Sequence, residues 1–175
     1  MYDKITNLRT ARLVLDLLKD DDAAFILELV NTEGWLHFIG DRGVRTSVEA
    51  TAYIRRLMES PQLTYWVARE QKSGQPVGIV TLIKRPYLEH FDIGFAFLPE
   101  YQGKAYAYEA VSAVLKNLQQ DPQYQKILAT TVPGNMRSVK LLEKLGFRFE
   151  KEIAVEGTTL KVFTRNSEID KLKNK

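Results

Sequence analysis

Pro99-Glu100-Tyr101-Gln102-Gly103-Lys104-Ala105-Tyr106-Ala107 is the stretch that organises this chain. Before it, residues 91–98 alternate, with Phe91, Ile93, Phe95 and Phe97 on one face and Asp92, Gly94 and Ala96 on the other. That pattern predicts a strand with one packed face and one face that leaves room. After it, from Lys104 to Gln119, Ala107, Val111, Val114, Leu115 and Leu118 fall on one side of a helix. The first N–H groups of a helix have no internal partner and sit at the positive end of its dipole. Small side chains at Gly103, Ala105 and Ala107 would let a pyrophosphate approach them, and Lys104 adds charge. The plain alternative is a tight strand-to-helix turn in which Gly103 only supplies an unusual backbone angle.

Working outward towards the N-terminus, residues 76–84 and Leu63–Glu70 are strand-like, and the three runs form an antiparallel meander. Thr46 or Ser47 caps a helix carrying Ile54, Leu57 and Met58. Residues 31–45 form a long loop with Trp35, His37 and Phe38 among three glycines. Residues 12–18 are a strand, and Asp20-Asp21-Asp22 open a helix with Ala24, Leu27 and Val30 on one stripe. Towards the C-terminus, residues 126–132 are a strand, and Asn135 opens a helix that stops at Gly146. Two strands then pair about Glu156-Gly157. The order β-α-α-β-β-β-α-β-α-β-β predicts one α/β (α+β) domain over residues 1–175, a mixed sheet with helices on its faces and no internal repeat or linker.

At 175 residues, with 45% hydrophobic and 27% charged residues, the chain has one domain's length and can bury a sizeable core. It contains no Cys and only two His, His37 and His90, which excludes disulfides, thiolate metal sites and a cysteine nucleophile and disfavours a His-based metal site. No metal is expected. No apolar run approaches the ~20 residues of a membrane span, and the first residues lack the pattern of a secretory signal, so a soluble, cytoplasmic protein is expected. Net charge +3 is a weak argument for an anionic partner, and no nucleic-acid partner is expected. The basic tail from Lys161 to Lys175 is expected to be a solvated C-terminus.

One strand after the turn comes Asn135-Met136-Arg137-Ser138, then Leu141-Leu142-Glu143-Lys144-Leu145-Gly146-Phe147. Together the two motifs resemble the acetyl-CoA-binding core of the GNAT superfamily of N-acetyltransferases. The N-terminal Leu8-Arg9-Thr10-Ala11-Arg12-Leu13-Val14-Leu15 is similar to the branch containing the ribosomal-protein N-terminal acetyltransferases. The resemblance implies a mostly antiparallel, splayed sheet with helices on both faces, acetyl-CoA as cofactor, and transfer to a primary amine of a peptide or small molecule by direct attack on the thioester. The family's R/Q-x-x-G-x-G/A turn falls on Glu100, Gly103 and Ala105; Glu100 departs from it, and Gln102 is placed to assist. Phe95, Phe97 and Leu98 would lie along the pantetheine arm, with Gln102, Gly103, Lys104, Ala105, Tyr106 and Ala107 at the phosphates.

By the same resemblance Asn135 would bind the cofactor's amide region, besides being a helix N-cap, and Ser138 would stand near the thioester sulfur. The family's tyrosine acid, seven residues after the asparagine, is Leu142 here, leaving Ser138, a water or no acid. Asp92 matches a glutamate base of several members; a solvent-facing strand residue is its alternative. Trp35, His37, Phe38 and His90 are candidates for the acceptor pocket, with simple packing or surface placement as the alternative. A non-catalytic acyl-CoA-binding or regulatory module on the same fold is the rival function, and a monomer or homodimer is expected.

Overall fold

The computed structural model describes residues 6–167; the last residues of the basic tail lie outside the described residues. Eight strands form one sheet: β1 (Asn7–Arg9), β2 (Leu13–Leu17), β3 (Leu63–Glu70), β4 (Pro76–Ile83), β5 (Asp92–Phe97), β6 (Lys126–Thr131), β7 (Arg148–Val155) and β8 (Thr158–Asn166), in the order β1-β2-β3-β4-β5-β6-β8-β7. Every neighbouring pair is antiparallel except β5 with β6. The expected mostly antiparallel α/β sheet with helices on both faces is the observed fold.

The alternation of β3 and β4 sends their side chains to opposite sides, and each side carries its own helices. Trp66, Ala68, Val80 and Leu82 pack with α4 (Tyr106–Leu118) and α5 (Met136–Lys144). Val67 and Ile79 pack on the other face with α1 (Ala23–Leu29), α2 (Glu33–Phe38) and α3 (Ser47–Glu59). The two clusters on opposite faces are what make the sheet hydrophobic through its thickness.

Three local expectations need correction. Asn7–Arg9 pairs with β2 as an additional strand, too short for alternation to reveal. The loop 31–45 contains α2, started by Thr32, whose side chain accepts from Trp35 N at 3.3 Å. The helix expected from Lys104 begins at Tyr106, because Ala105 adopts a left-handed conformation with φ 62°.

Candidate functional site

The parallel contact between β5 and β6 consists of one register pair, Asp92 with Leu128, closed by Leu128 N donating to Phe91 O at 2.9 Å. The next bond of the ladder is replaced by a side chain: Asp92 accepts from Thr130 N at 3.2 Å and from Thr130 Oγ1 at 3.3 Å. From this vertex the two strands diverge, and a cleft of about 970 Å³ opens through the sheet. Beyond the vertex, the edge of β5 that faces β6 has no strand partner among the described residues.

Asp92 is not the solvent-facing strand residue of the alternative reading: it is buried and lines the cleft. Its side chain is 5% exposed and accepts from Arg85 Nε at 2.7 Å. Burial pushes its pKa up, while Arg85 and Thr130 work against that shift. With three donors already bound, about one of a carboxylate's roughly four acceptor positions remains.

At one end of the cleft, a 3-10 turn (Pro99–Tyr101) leads through Gly103, with φ +76°, and left-handed Ala105 into α4. A Cβ added at Gly103 would meet nothing within 4 Å, so this turn borders open space. The N–H groups of the first turn of α4 lie beyond reach of any intrahelical carbonyl, next to two left-handed residues, a combination of the kind that suits an anion. Behind it, Glu109 accepts from Thr10 Oγ1 at 2.7 Å, Arg12 N at 2.8 Å and Arg12 Nε at 2.7 Å. The N-terminal Thr10 and Arg12 therefore anchor α4. Gln102 donates to Phe97 O at 3.1 Å and accepts from Arg137, a residue the sequence reading passed over.

Phe95, Phe97, Gln102, Ala107, Asn135 and Ser138 line the cleft as expected. Four neighbours do not bring their side chains to it. Tyr106 turns into the core and donates from its hydroxyl to Glu70 at 2.6 Å. Leu98 packs on the opposite face, Lys104 lies over the Tyr101 ring at 5.3 Å, and Ala105 contributes only its backbone angle. Asn135 caps α5 by accepting from Ser138 N at 3.3 Å through Oδ1, which leaves its amide Nδ2 for another partner. Leu142, 1% exposed, is core beneath the cleft.

The other end is walled by Trp35, Phe38, Tyr53, Tyr65 and Tyr87, with Arg42 and Arg85. Trp35 is 6% exposed and belongs to the core cluster of α1 and α3, and its Nε1 has no hydrogen-bond partner. It is both packing and wall. His37 is exposed, edge-on to Phe38 at 4.5 Å, and His90 is half-buried in the connection before β5; neither lines the cleft. A ring next to an aromatic in sequence points elsewhere once α2 turns by 100° per residue. Among the described residues no three His, Asp or Glu side chains cluster to hold a metal, and no helix is long and apolar enough to cross a membrane.

Comparison with known proteins points the same way. Residues 12–148 match the acetyltransferase (GNAT) domain. The chain is 25% identical over 166 residues to YkkB of Bacillus subtilis, an uncharacterized protein, covering 93% of this chain and 96% of that one. Over 60 residues, 34% of this chain and 30% of the relative, it is 37% identical to the [ribosomal protein uS5]-alanine N-acetyltransferase of Escherichia coli. An acetyltransferase (GNAT family) structure from Bacillus anthracis superposes with a TM-score of 0.79 at 21% identity, covering 93% of this chain and 99% of that one. The aminoglycoside acetyltransferase AAC(6')-Ib, crystallised with coenzyme A, gives 0.76 at 19% identity, with 93% and 99% covered.

Proposed function

The chain belongs to the GNAT acetyltransferase family, and on that premise we propose that it transfers the acetyl group of acetyl-CoA to a primary amine. The observation that carries this is the single-pair junction at Asp92, which opens a continuous cleft from the N-terminus of α4 to the Trp35 wall. The residues present fit the cofactor: a turn open at Gly103 beside free helix N–H groups suits a pyrophosphate. The unpartnered edge of β5 suits an amide-bearing arm. Bound there, acetyl-CoA supplies an activated acyl group and a thiolate leaving group.

The chain's own residues then position and polarise. Asn135 Nδ2 would hold the cofactor's amide region, and the Ser138 hydroxyl, on the first turn of α5, would donate towards the reacting centre. Asp92 orients the acceptor amine through its remaining acceptor position, while Arg85 and Thr130 keep that carboxylate in place. The amine's proton leaves through water in the cleft.

Thiol release from acetyl-CoA, followed with a panel of amines and N-terminal peptides, tests the proposal. CoA should raise the melting temperature with concentration, as linkage requires, and Asp92→Asn should lower turnover more than CoA affinity. CoA binding without turnover for any amine would favour a non-catalytic acyl-CoA-binding module. Absence of a thermal shift at millimolar CoA would overturn both.

A further inference from the structure

Resting on the transferase reading, the inference concerns the acceptor, and its basis is the charge inventory of the cleft. Among the described residues, three guanidinium groups line it, Arg42, Arg85 and Arg137, against one carboxylate, Asp92. Arg85 is bound to that carboxylate at 2.7 Å, and Arg137 donates to Gln102 at the α4 end. Arg42 remains. It is exposed, its guanidinium carbon stands 5.8 Å from the centre of the Trp35 ring, and it has no ion-pair partner among the described residues. The neighbouring Asp41 is held by Arg45 at 2.6 Å.

The end of the cleft walled by Trp35, Tyr53, Tyr65 and Tyr87 thus carries aromatic rings and a surplus positive charge, with no free carboxylate among its lining residues to receive a second ammonium; Glu156, whose charge acts on Tyr87, stands outside that lining. A polycation entering it would meet like charge without compensation.

We propose that the acceptor is a primary amine on an aromatic or apolar body that also carries one anionic group, a carboxylate or a phosphate, and that Arg42 receives that group. The guanidinium fork matches either anion, and the Trp35 ring lies 5.8 Å from its central carbon, within cation–π range. Arg42 is then the residue that sets specificity, and it lies outside the reacting centre.

The experiment compares four acceptors by thiol release from acetyl-CoA: phenethylamine, 4-(2-aminoethyl)benzoate, tyramine phosphate and spermidine. One of the two anionic amines is expected to exceed phenethylamine at least tenfold in kcat/KM, identifying which anion is recognised, and spermidine is expected to be the poorest. Arg42→Ala should reduce that preference to about twofold or less, mainly through KM, and Arg42→Lys should restore part of it. Anionic amines used no better than phenethylamine, a preference that survives Arg42→Ala, spermidine used as well as the anionic amines, or turnover of panel amines but of none of these four overturns this inference and leaves the transferase reading standing. Thiol release with none of the four acceptors, nor with any amine or peptide of the wider panel, overturns both.

Discussion

The two ends of the cleft are built from different material. At the α4 end the working groups are backbone: left-handed Gly103 and Ala105, the first N–H groups of a helix, and a bare strand edge. At the α2 end they are side chains from five separate segments: Trp35, Arg42, Tyr53, Tyr65 and Tyr87. A backbone site demands only small residues at the right local angles, so it tolerates little change at a few positions and much elsewhere. A side-chain site depends on the packing that holds each ring. Damage at the first end should therefore appear as lost ligand affinity in a folded protein, and damage at the second as lost stability together with altered acceptor use.

The largest expected effect tests the second half of that contrast. Trp35 is 6% exposed within the α1–α3 cluster, so Trp35→Ala leaves a cavity and should cost about 3–5 kcal/mol of stability in a denaturant titration. An unchanged midpoint with a raised acceptor KM would make Trp35 a wall without a packing role and break the comparison.

Gly103→Asp tests the first half. It introduces a carboxylate and a side chain at φ +76°, with free space around the Cβ. The fold should lose only about 1 kcal/mol for a non-glycine residue at that angle. CoA affinity, measured by calorimetry, should fall about 100-fold, or ~2.7 kcal/mol. Undiminished affinity would move the phosphate site away from this turn.

The smallest effect is a difference in pH response between two carboxylates. Burial pushes Glu109 up, but the bonds from Thr10 and Arg12 outweigh it, and its pKa lies below the usual carboxylate value. Its stabilising contribution is therefore present above pH 4.5 and is lost as pH falls through its folded value. Asp92 has the opposite sign: its pKa is raised above 3.8, so its contribution is present below that pH and is lost as pH rises through the folded value. Acid should loosen the anchor of α4 and leave the vertex no weaker. Hydrogen exchange of the Ala110 and Leu128 amides between pH 5 and pH 3 measures this, and Glu109→Gln should flatten the first response alone.

The turn into α4 is legible because its requirements are local: a glycine for a left-handed angle, small residues around it, and a helical stripe beginning a few residues on. The cap at Asn135 was legible for the same reason, and its Oδ1 bond to Ser138 N is the one a helix start calls for. The strand Asn7–Arg9 was missed because three residues carry no period. Tyr106 was assigned to the phosphates because proximity in sequence stood in for direction; its hydroxyl is directed to Glu70, 36 residues earlier. Arg42, Tyr53, Tyr65, Arg85 and Tyr87 give no joint signal, since they come from four segments far apart in the chain.

The order of elements and the small-residue turn are written in local periodicity and backbone preference, within a few residues of each position. What faces the cleft, and in what state, follows from how the elements dock. The burial and ion pairing of Asp92 depend on Arg85, 7 residues away, and on Thr130, 38 residues away across a crossover. Periodicity states which side of its own element a side chain takes. Which partners wait on that side depends on how distant elements dock, and for a buried charge those partners decide whether it is a free base or a strut.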